Sequence, residues 1–424
     1  MASGELKNPI TQGDWLVRAV LHIDPERREL LIQTAGREAG RNPYYSDICR
    51  VHIDTGELTP ILASDHDYTL CEQRSRISAA APSARGVSAA GDYIVATRSR
   101  VDQAPQSLLL DAQGQTLMVV ESADVSGLPA DCHWPEPVML KGSDGETDIY
   151  GVVFRPSNFD PSASYPVVDC SYQYASPVGS FTNNPTGNQY YLLPWAYAEL
   201  GFIVVMLFNR GNDGLRDVAF NTYQHPDFPL APAHTSRCYK NDVVAGIQQL
   251  AERYPYMDLN RVGVMEFGSV PSALMGLLVH GDFYQVGVSV RAMANSRMEG
   301  STAGVLSLEE EGAYLPEFED RADRLQGKLL LINGMLDWCM PVAMTLRLME
   351  ALKNAHKRFD SLLLPNLEHG YCHYVTLRCW DYLVEHLLGL EPPELTALLD
   401  DASSNKSAAH EATTDTETPL EETL

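Results

Sequence analysis

The sequence lacks a basic surplus, a long apolar run and closely spaced cysteines, and each absence narrows what the chain can be. Its 424 residues include 31 Lys and Arg against 56 Asp and Glu, which gives a formal net charge of -25. Because binding to phosphate needs a basic face, this balance argues against nucleic acid and anionic membranes as partners. No stretch approaches the roughly 20 apolar residues of a membrane span.

The eight cysteines are scattered, and no two of them form a Cys-x-x-Cys pair. This spacing gives no indication of a zinc site, and we expect neither a metal nor a cofactor. Residues 1–11 are predicted to be an N-terminal extension, and they contain no apolar signal-peptide core, so we expect a cytoplasmic location. In that compartment cysteines are kept reduced, so we also expect free thiols. Residues 394–424 are acidic and lack aromatic side chains, which predicts a disordered tail.

The pattern of residues 12–135 predicts a small all-β domain. Turn signals recur at Pro25, at Asp54-Thr-Gly56 and at Ala112-Gln-Gly114. Between them we predict strands at 15–23, 29–35, 48–53, 93–97, 107–110 and 116–121. Because a propeller blade takes about 40–50 residues, the region would hold a partial β-propeller of about two to three blades. Such a fragment leaves open edge strands that invite pairing with another chain or domain.

From residue 136 to 393 the pattern changes to apolar strands that alternate with helices. The predicted strands are 149–154, 165–171, 202–207, 261–265, 286–290, 328–332 and 361–364. The predicted helices are 191–200, 242–254, 272–279, 341–354 and 376–388. Strands alternating with helices indicate a parallel sheet, so we predict an α/β class with a C-terminal domain of the α/β-hydrolase type.

The stretch 261–273 is the centre of this predicted domain, because a buried strand is followed by a tight turn and an apolar helix. In an α/β-hydrolase this corner has the sequence Gly-x-Ser-x-Gly and exposes a nucleophilic serine. Here Gly268 takes the nucleophile position, and Glu266 stands where the first glycine is expected. If Ser269 is the nucleophile instead, the positions two residues either side of it are both bulky. Neither register gives a good nucleophile corner.

Two residues after later strands fit the rest of a hydrolase triad, whose order along the chain is Ser, Asp, His. Asp337 follows the predicted strand 328–332, and His369 follows the predicted strand 361–364. Both positions lie past the carboxyl ends of strands, where open parallel sheets bind their ligands. Asp337 would hold one imidazole nitrogen of His369 and leave the other free to move protons.

Other side chains near these positions have two interpretations each. Trp338, Cys339 and Tyr374 would form the wall of a substrate pocket, or they belong to the core. A thiolate beside an imidazole is a nucleophile, yet free cysteines more often behave as small buried hydrophobes. Glu266 could act as an acid or base under the site, or it could be an ordinary buried or ion-paired carboxylate.

Several runs along the chain point to one known family. They include Ser99-Arg-Val-Asp102, Asp144-Gly-Glu-Thr-Asp-Ile-Tyr-Gly151, Gly334-Met-Leu-Asp337, His369-Gly370 and Trp380-Asp-Tyr382. Together the runs cover roughly residues 12–393 and resemble the prolyl oligopeptidase family, specifically its dipeptidyl peptidase IV-like branch. The resemblance implies a β-propeller followed by an α/β-hydrolase that cleaves peptides near their N-terminus. It also implies that Asp337 and His369 are triad residues and that Tyr172 donates its hydroxyl to an oxyanion.

The chain departs from that family where activity is decided. The family's Gly-x-Ser-x-Gly-Gly is Glu-Phe-Gly-Ser-Val-Pro at 266–271, so the family's serine falls on Gly268. Where the family has Asp-Asp-Asn-Val, this chain has Asp-Trp-Cys-Met at 337–340. We also expect the blades that carry its substrate-gripping paired glutamates to be absent. Removing the serine of such a triad lowers the rate on the order of a millionfold, so an ordinary peptidase is not expected.

The sequence supports three hypotheses for function. A retooled enzyme would use His369 as general acid and base, oriented by Asp337, with Tyr172 at the oxyanion of a small-molecule or peptide-like substrate. It would act on a small carbonyl compound, for example in specialised biosynthesis. A pseudopeptidase would bind or scaffold through its pocket or open β-edge. A working serine peptidase would act through Ser269. The resemblance and the open edge both favour a homodimer.

Overall fold

The computed structural model describes residues 8–70, 86–171, 194–208, 239–267, 272–295, 298, 318–370, 372–392 and 394. Within these ranges, sixteen strands form three sheets, two of four strands and one of eight. Tyr172, Gly268 and Ser269, three of the predicted site residues, lie outside the described residues, and so does most of the predicted tail.

The two small sheets are antiparallel, and in each of them the strands pair in sequence order. The first sheet consists of β1 (Leu16–Asp24), β2 (Glu29–Ala35), β3 (Ser46–His52) and β4 (Leu58–Leu62). The second sheet consists of β5 (Asp67–Leu70), β6 (Tyr93–Arg100), β7 (Gln103–Asp111) and β8 (Thr116–Ser122). Four strands that pair consecutively make the unit from which β-propellers are built.

Side chains from both small sheets share one apolar core. Leu31 and Ile48 of the first sheet and Ile94 and Leu110 of the second are all buried in it. Successive side chains of a strand point to opposite faces, so one face of each sheet fills this core. That burial is the physical origin of the alternation that predicted these strands.

The last strand of the second sheet has the opposite character. Every residue of β8 is exposed, and the strand lies at the edge of its sheet. Its four central residues are large and apolar, each about half exposed: Leu117, Met118, Val119 and Val120. A long apolar edge strand offers unpaired backbone groups to another strand.

The remaining strands form one mixed sheet. They are β9 (Glu136–Lys141), β10 (Asp148–Phe154), β11 (Tyr165–Asp169), β12 (Ile203–Phe208), β13 (Met257–Phe267), β14 (Val286–Val290), β15 (Lys328–Gly334) and β16 (Asp360–Leu364). Their order across the sheet is β16-β15-β14-β13-β11-β12-β10-β9. Strands β11 to β16 run parallel, and β10 is antiparallel to both of its neighbours.

Helices cover both faces of this sheet. They are α1 (Pro194–Glu199), α2 (Tyr239–Arg253), α3 (Ser272–Val279), α4 (Val342–Asn354) and α5 (His373–Leu383), with a 3-10 helix at Phe318–Arg324 and a π-helical turn at Val384–Leu388. Apolar side chains of α2, α3 and α4 pack on one face, and those of α1 and α5 pack on the other. Because both faces are covered, the strands appear in the sequence as continuous apolar runs.

Several elements differ from their predictions, among them β4 and β5, which were not predicted at all. Strand β9 was not predicted either; it is the edge strand of its sheet, where a proline such as Pro137 is tolerated. Strand β13 begins at Met257 rather than at residue 261, since its first residues pair with the start of β11. Helix α5 begins at His373 rather than at residue 376, and its last predicted turn is π-helical.

Candidate active site

The two loops that carry Asp337 and His369 are joined by backbone hydrogen bonds. Strand β15 ends three residues before Asp337, and β16 ends five residues before His369. The amide of Met335 donates to the carbonyl of Leu364 (2.9 Å), and that of Leu336 donates to the carbonyl of Leu367 (3.1 Å). These bonds continue the parallel pairing of the two strands beyond the sheet and set the distance between the two loops.

Gly334 makes this close approach possible. A β-carbon at this position would overlap the backbone carbonyl oxygen of Leu367. Because that obstacle is backbone rather than the end of a flexible side chain, any larger residue would push the two loops apart. The glycine therefore contributes to the geometry of the site without a functional group of its own.

Asp337 and His369 form a direct contact. Nδ1 of His369 lies 2.9 Å from Oδ1 and 3.0 Å from Oδ2 of Asp337. Oδ1 also accepts hydrogen bonds from the backbone amides of Cys339 (2.9 Å) and Met340 (2.8 Å). The Asp337 side chain is fully buried, whereas the His369 side chain is 29% exposed. A carboxylate so placed fixes the imidazole ring and leaves Nε2 as the nitrogen for proton transfer.

The surroundings of Asp337 keep it ionised. Burial alone would raise the pKa of this carboxyl, but the hydrogen bonds from His369, Met340 and Cys339 outweigh burial and hold the pKa below its usual value. Asp337 therefore carries a negative charge at neutral pH, next to the imidazole ring.

An apolar surface lies beside the dyad. Trp338 is 68% exposed, and its ring centroid is 6.0 Å from that of His369. Met335 and Leu336 of the same loop are also about half exposed. Exposed large apolar side chains in a group are typical of binding surfaces.

The other two predicted pocket residues lie differently. Tyr374 is exposed on the first turn of α5, with the guanidinium carbon of Arg378 5.4 Å from its ring centroid. Cys339 is partly buried and packs against the core under the sheet. Of the predicted pocket wall, Trp338 is thus the residue that the structure brings to His369.

Glu266 is buried and its two carboxyl oxygens bind to different elements. Oε1 accepts a hydrogen bond from the Ser289 hydroxyl of β14 (3.0 Å). Oε2 accepts one from the backbone amide of Ala273 in the first turn of α3 (3.0 Å). These contacts connect the end of β13 to the start of α3 around the corner 268–271, which lies outside the described residues. Both carboxyl oxygens of Glu266 are thus held by groups of the fold itself.

The pKa of Glu266 moves in the opposite direction from that of Asp337. Burial raises it to about 8, against the lowering effect of the hydrogen bonds from Ser289 and Ala273. Lys240 lowers the pKa further but also does not outweigh burial. Glu266 is therefore largely protonated at neutral pH, so its carboxyl can donate as well as accept a hydrogen bond.

A buried ion pair lies near the end of β11 and was not predicted from sequence. Nζ of Lys240 is 2.6 Å from Oδ2 of Asp169, and both side chains are almost completely buried. The hydroxyl of Tyr284 donates to the same oxygen (2.8 Å). The other carboxylate oxygen accepts from the amide of Ser171 (2.8 Å), the residue before Tyr172. The one indication of this ion pair in the sequence is that an aspartate, Asp169, lies within the otherwise apolar stretch 165–171.

Comparisons with known proteins show which family this chain resembles. Residues 188–388 match the model of the prolyl oligopeptidase family. Dipeptidyl peptidase 8 of Homo sapiens is 28% identical over 259 residues, which are 58% of this chain and 27% of the human protein. The Mus musculus protein of the same name is 27% identical over 259 residues, 58% of this chain and 28% of its own length.

Two solved structures share the fold. A Bacteroides ovatus protein named as a dipeptidyl aminopeptidase IV superposes with a TM-score of 0.71 at 21% identity, over 89% of this chain and 51% of its own. Porphyromonas gingivalis dipeptidyl peptidase 4 gives a TM-score of 0.68 at 20% identity, over 91% of this chain and 52% of its own. The chain thus spans about half the length of these structures and about a quarter of the mammalian relatives.

The predicted fold class is confirmed: an all-β region of propeller type precedes an α/β-hydrolase. Within that class the resemblance found in the sequence is also confirmed: the chain is similar to the prolyl oligopeptidase family over residues 188–388, and to dipeptidyl peptidases of the dipeptidyl peptidase IV-like kind. Among the described residues, no helix is both long and apolar enough to cross a membrane.

Proposed function

We propose that this protein is a non-peptidolytic enzyme, which uses His369 and Asp337 for acid and base catalysis on a small carbonyl compound. The observation that carries the proposal is their contact: both oxygens of a buried carboxylate lie within 3.0 Å of one imidazole nitrogen. Such a carboxylate orients the ring and stabilises its protonated form. An exposed histidine without that support is a much weaker catalyst.

In the proposed reaction, Nε2 of His369 removes a proton from the carbon next to the carbonyl group, or from a water molecule that attacks the carbonyl carbon. The electron pair moves onto the carbonyl oxygen. The hydroxyl of Tyr172 donates a hydrogen bond to that oxyanion, the role that the family resemblance implies. The proton on Nε2 is returned to the product, so the dyad is restored without a bond to the protein.

The residue at the nucleophile position supports the non-peptidolytic part of the proposal. Gly268 stands where the family has its serine, and glycine offers no atom that can attack a carbonyl carbon. What such a site retains without its serine is binding and oxyanion stabilisation, worth about 10³–10⁴ over water. That is too little for peptide bonds and sufficient for a more reactive carbonyl compound.

The surface beside the dyad indicates the substrate class. Trp338, Met335 and Leu336 offer exposed apolar area next to His369. We therefore propose a substrate with an apolar or aromatic group attached to the reacting carbonyl. An aromatic ketone or an aryl ester meets that description.

Proton NMR in heavy water with a panel of aromatic ketones and aryl esters tests this proposal. The wild-type protein is expected to exchange the protons next to the carbonyl or to cleave the ester, and His369→Ala is expected to lower that rate about 10²- to 10⁴-fold. His373→Gln is the matched control, since His373 is exposed and lies four residues further along. Turnover that survives in His369→Ala, or efficient cleavage of a dipeptidyl p-nitroanilide, contradicts the proposal.

A second candidate function, association without catalysis, is favoured by β8. We propose that two copies of the chain form a homodimer by pairing through this exposed edge strand. Glu121 is the one charged residue among the seven of β8, so two copies of the strand would repel each other little. Light scattering is expected to show a dimer for the wild type and for His369→Ala, and a monomer for Val119→Lys. If the wild-type protein is a monomer when it is measured at the same concentration as the variants, this pairing is excluded.

A further inference from the structure

Arg291 has an unusual backbone conformation at the end of a central strand. It directly follows β14, and its φ is 63°. This left-handed conformation is disfavoured for every residue with a β-carbon, and glycine would adopt it freely. Arg28 and His356, the other described non-glycine residues with a positive φ, lie in turns. An arginine kept in a strained conformation at a strand end indicates that its side chain is needed there.

The topology places Arg291 beside the strand that leads to the dyad. Strand β14 lies between β13, which ends just before the nucleophile corner, and β15, which ends three residues before Asp337. The backbone amide of Arg291 donates to the carbonyl of Ile332 in β15 (2.7 Å). Open parallel sheets bind their ligands at the carboxyl ends of their strands. Arg291 is therefore the residue of β14 nearest in the chain to the edge of the sheet that carries Asp337 and His369.

The guanidinium of Arg291 has no partner within the described residues. Its Nε is buried and makes no hydrogen bond. Arg37 and Arg41 also have a buried, unpaired Nε, but each forms an ion pair through a terminal nitrogen, with Glu38 and Asp47 respectively. Arg291 forms no such ion pair with a described carboxylate. Since the residue as a whole is partly exposed, its two terminal nitrogens are the donors that a ligand can reach.

The carboxyl groups of neighbouring elements are already engaged by other partners. Glu266 of β13 accepts from a hydroxyl of β14 and an amide of α3. Asp337 faces His369 and two backbone amides. Glu319, in the 3-10 helix before β15, is paired with Arg347 of α4. A partly buried guanidinium without a counter-ion is costly, so its positive charge is available to an anion from outside the chain.

We propose that Arg291 binds a carboxylate group of the substrate through its two terminal nitrogens. Two parallel N–H donors match the two oxygens of a carboxylate. This inference rests on the proposed function and narrows its substrate class to an oxo acid with an apolar or aromatic group. Trp338 contacts the apolar group beside His369, and Arg291 holds the acid group at the end of the neighbouring strand.

Isothermal titration of the full chain with a panel of aromatic oxo acids tests this inference, with the neutral primary amide of each acid titrated in parallel. The acids carry their carboxylate at different distances from the carbonyl group. The wild-type protein is expected to bind at least one acid about ten- to hundredfold more tightly than its amide, as charge-assisted hydrogen bonds would provide. Arg291→Gln is expected to abolish this preference and to bind the amide like the wild type. Arg291→Lys, which keeps the charge without the fork, is expected to retain part of the preference.

Arg358→Gln is the matched control. It removes the same charge from an exposed residue that lies two positions before β16, at the opposite edge of the sheet from the dyad. This variant is expected to keep the preference of the wild type. The ratio of the two affinities separates a direct contact from a structural role, because a merely structural change would weaken binding of acid and amide alike. Thermal unfolding without ligand shows whether each variant is folded.

Three results would overturn the assignment to Arg291: no acid that binds more tightly than its amide, a preference that survives in Arg291→Gln, or an equal loss in Arg358→Gln. Turnover is measured separately, so that the two proposals can fail independently. Acids that bind with the expected preference but are not turned over would contradict the proposed reaction and support the binding site. Turnover of neutral ketones by a protein without any preference for acids would contradict the binding site alone.

Discussion

Two buried carboxyl groups lie at the ends of parallel strands in the same sheet, yet their acidities differ in direction. Asp337 after β15 has a lowered pKa, and Glu266 in β13 has a pKa raised to about 8. Burial opposes ionisation in both. Two things differ. Glu266 is the more deeply buried of the two carboxyl groups. Asp337 also has an imidazole and two amides within 3.0 Å, whereas Glu266 has one hydroxyl and one good amide contact.

The two carboxyl groups thus mark two parts of the α/β region with different electrostatic character. The part around Asp337 keeps the charge and contacts that acid and base catalysis needs. The part around Glu266 is a mainly neutral connection between β13 and α3.

The largest effect is expected at the dyad itself. Asp337→Asn should lower the rate of the proposed reaction about 10⁴-fold, because the amide favours the wrong imidazole tautomer and cannot stabilise the protonated ring. Steady-state kinetics on the substrate found in the NMR panel measures this change. Asp131→Asn, at an exposed position, serves as control. A loss below tenfold would mean that Asp337 does not support catalysis by His369.

Lys240→Met is expected to have the next largest effect, on stability. The change leaves the charge of Asp169 buried without its partner, which typically costs 3–5 kcal/mol. Chemical denaturation measures the free energy of unfolding. Lys353→Met, which removes an exposed lysine paired with Glu350, should change it by less than about 1 kcal/mol. Equal changes in the free energy of unfolding for the two variants would show that the buried ion pair contributes no more to stability than the exposed one.

Gly334→Ala tests whether the two loops hold the dyad together. The added methyl group meets the carbonyl of Leu367, so a loss of about 1–3 kcal/mol in unfolding free energy is expected, as for other overpacked sites. The rate should fall as well, because His369 moves away from Asp337. Gly370→Ala is the matched control, since a β-carbon there meets no atom within 4 Å. If both variants behave like the wild type, the close approach of the loops is unimportant.

Glu266→Gln is expected to have an effect on stability that is small near pH 5 and grows as pH rises. The folded protein raises the pKa of Glu266 to about 8 from an ordinary value of 4.5. Wild-type stability from this group is therefore fully present below the unfolded pKa and is lost as pH rises through about 8. The variant lacks that loss, so relative to wild type it should gain roughly 4 kcal/mol between pH 5 and pH 9, most of it below pH 8.

Thermal unfolding across this pH range checks the expectation, with Glu350→Gln on the surface as control. A flat difference between Glu266→Gln and wild type would contradict a raised pKa at Glu266, and with it the contrast between the two carboxyl groups.

Much of the architecture was predictable because its causes are local. Buried strands such as β14 and helices such as α3 have the bounds that their apolar patterns predicted. The positions of Asp337 and His369 followed from strand ends in a parallel sheet. Pairings between distant residues were not predictable: Asp169 meets Lys240 and Tyr284 across long separations. Sequence patterns record which side chains are buried, and they do not record which buried groups meet.

The most direct test of the account is the intact mass of the protein after incubation with a fluorophosphonate, with His369→Ala treated in parallel. Such a reagent reacts with an activated serine. With Gly268 at the nucleophile position, the account predicts no adduct on either protein. A single adduct that maps to Ser269 and disappears in His369→Ala would contradict it, because the dyad would then be activating a serine after all.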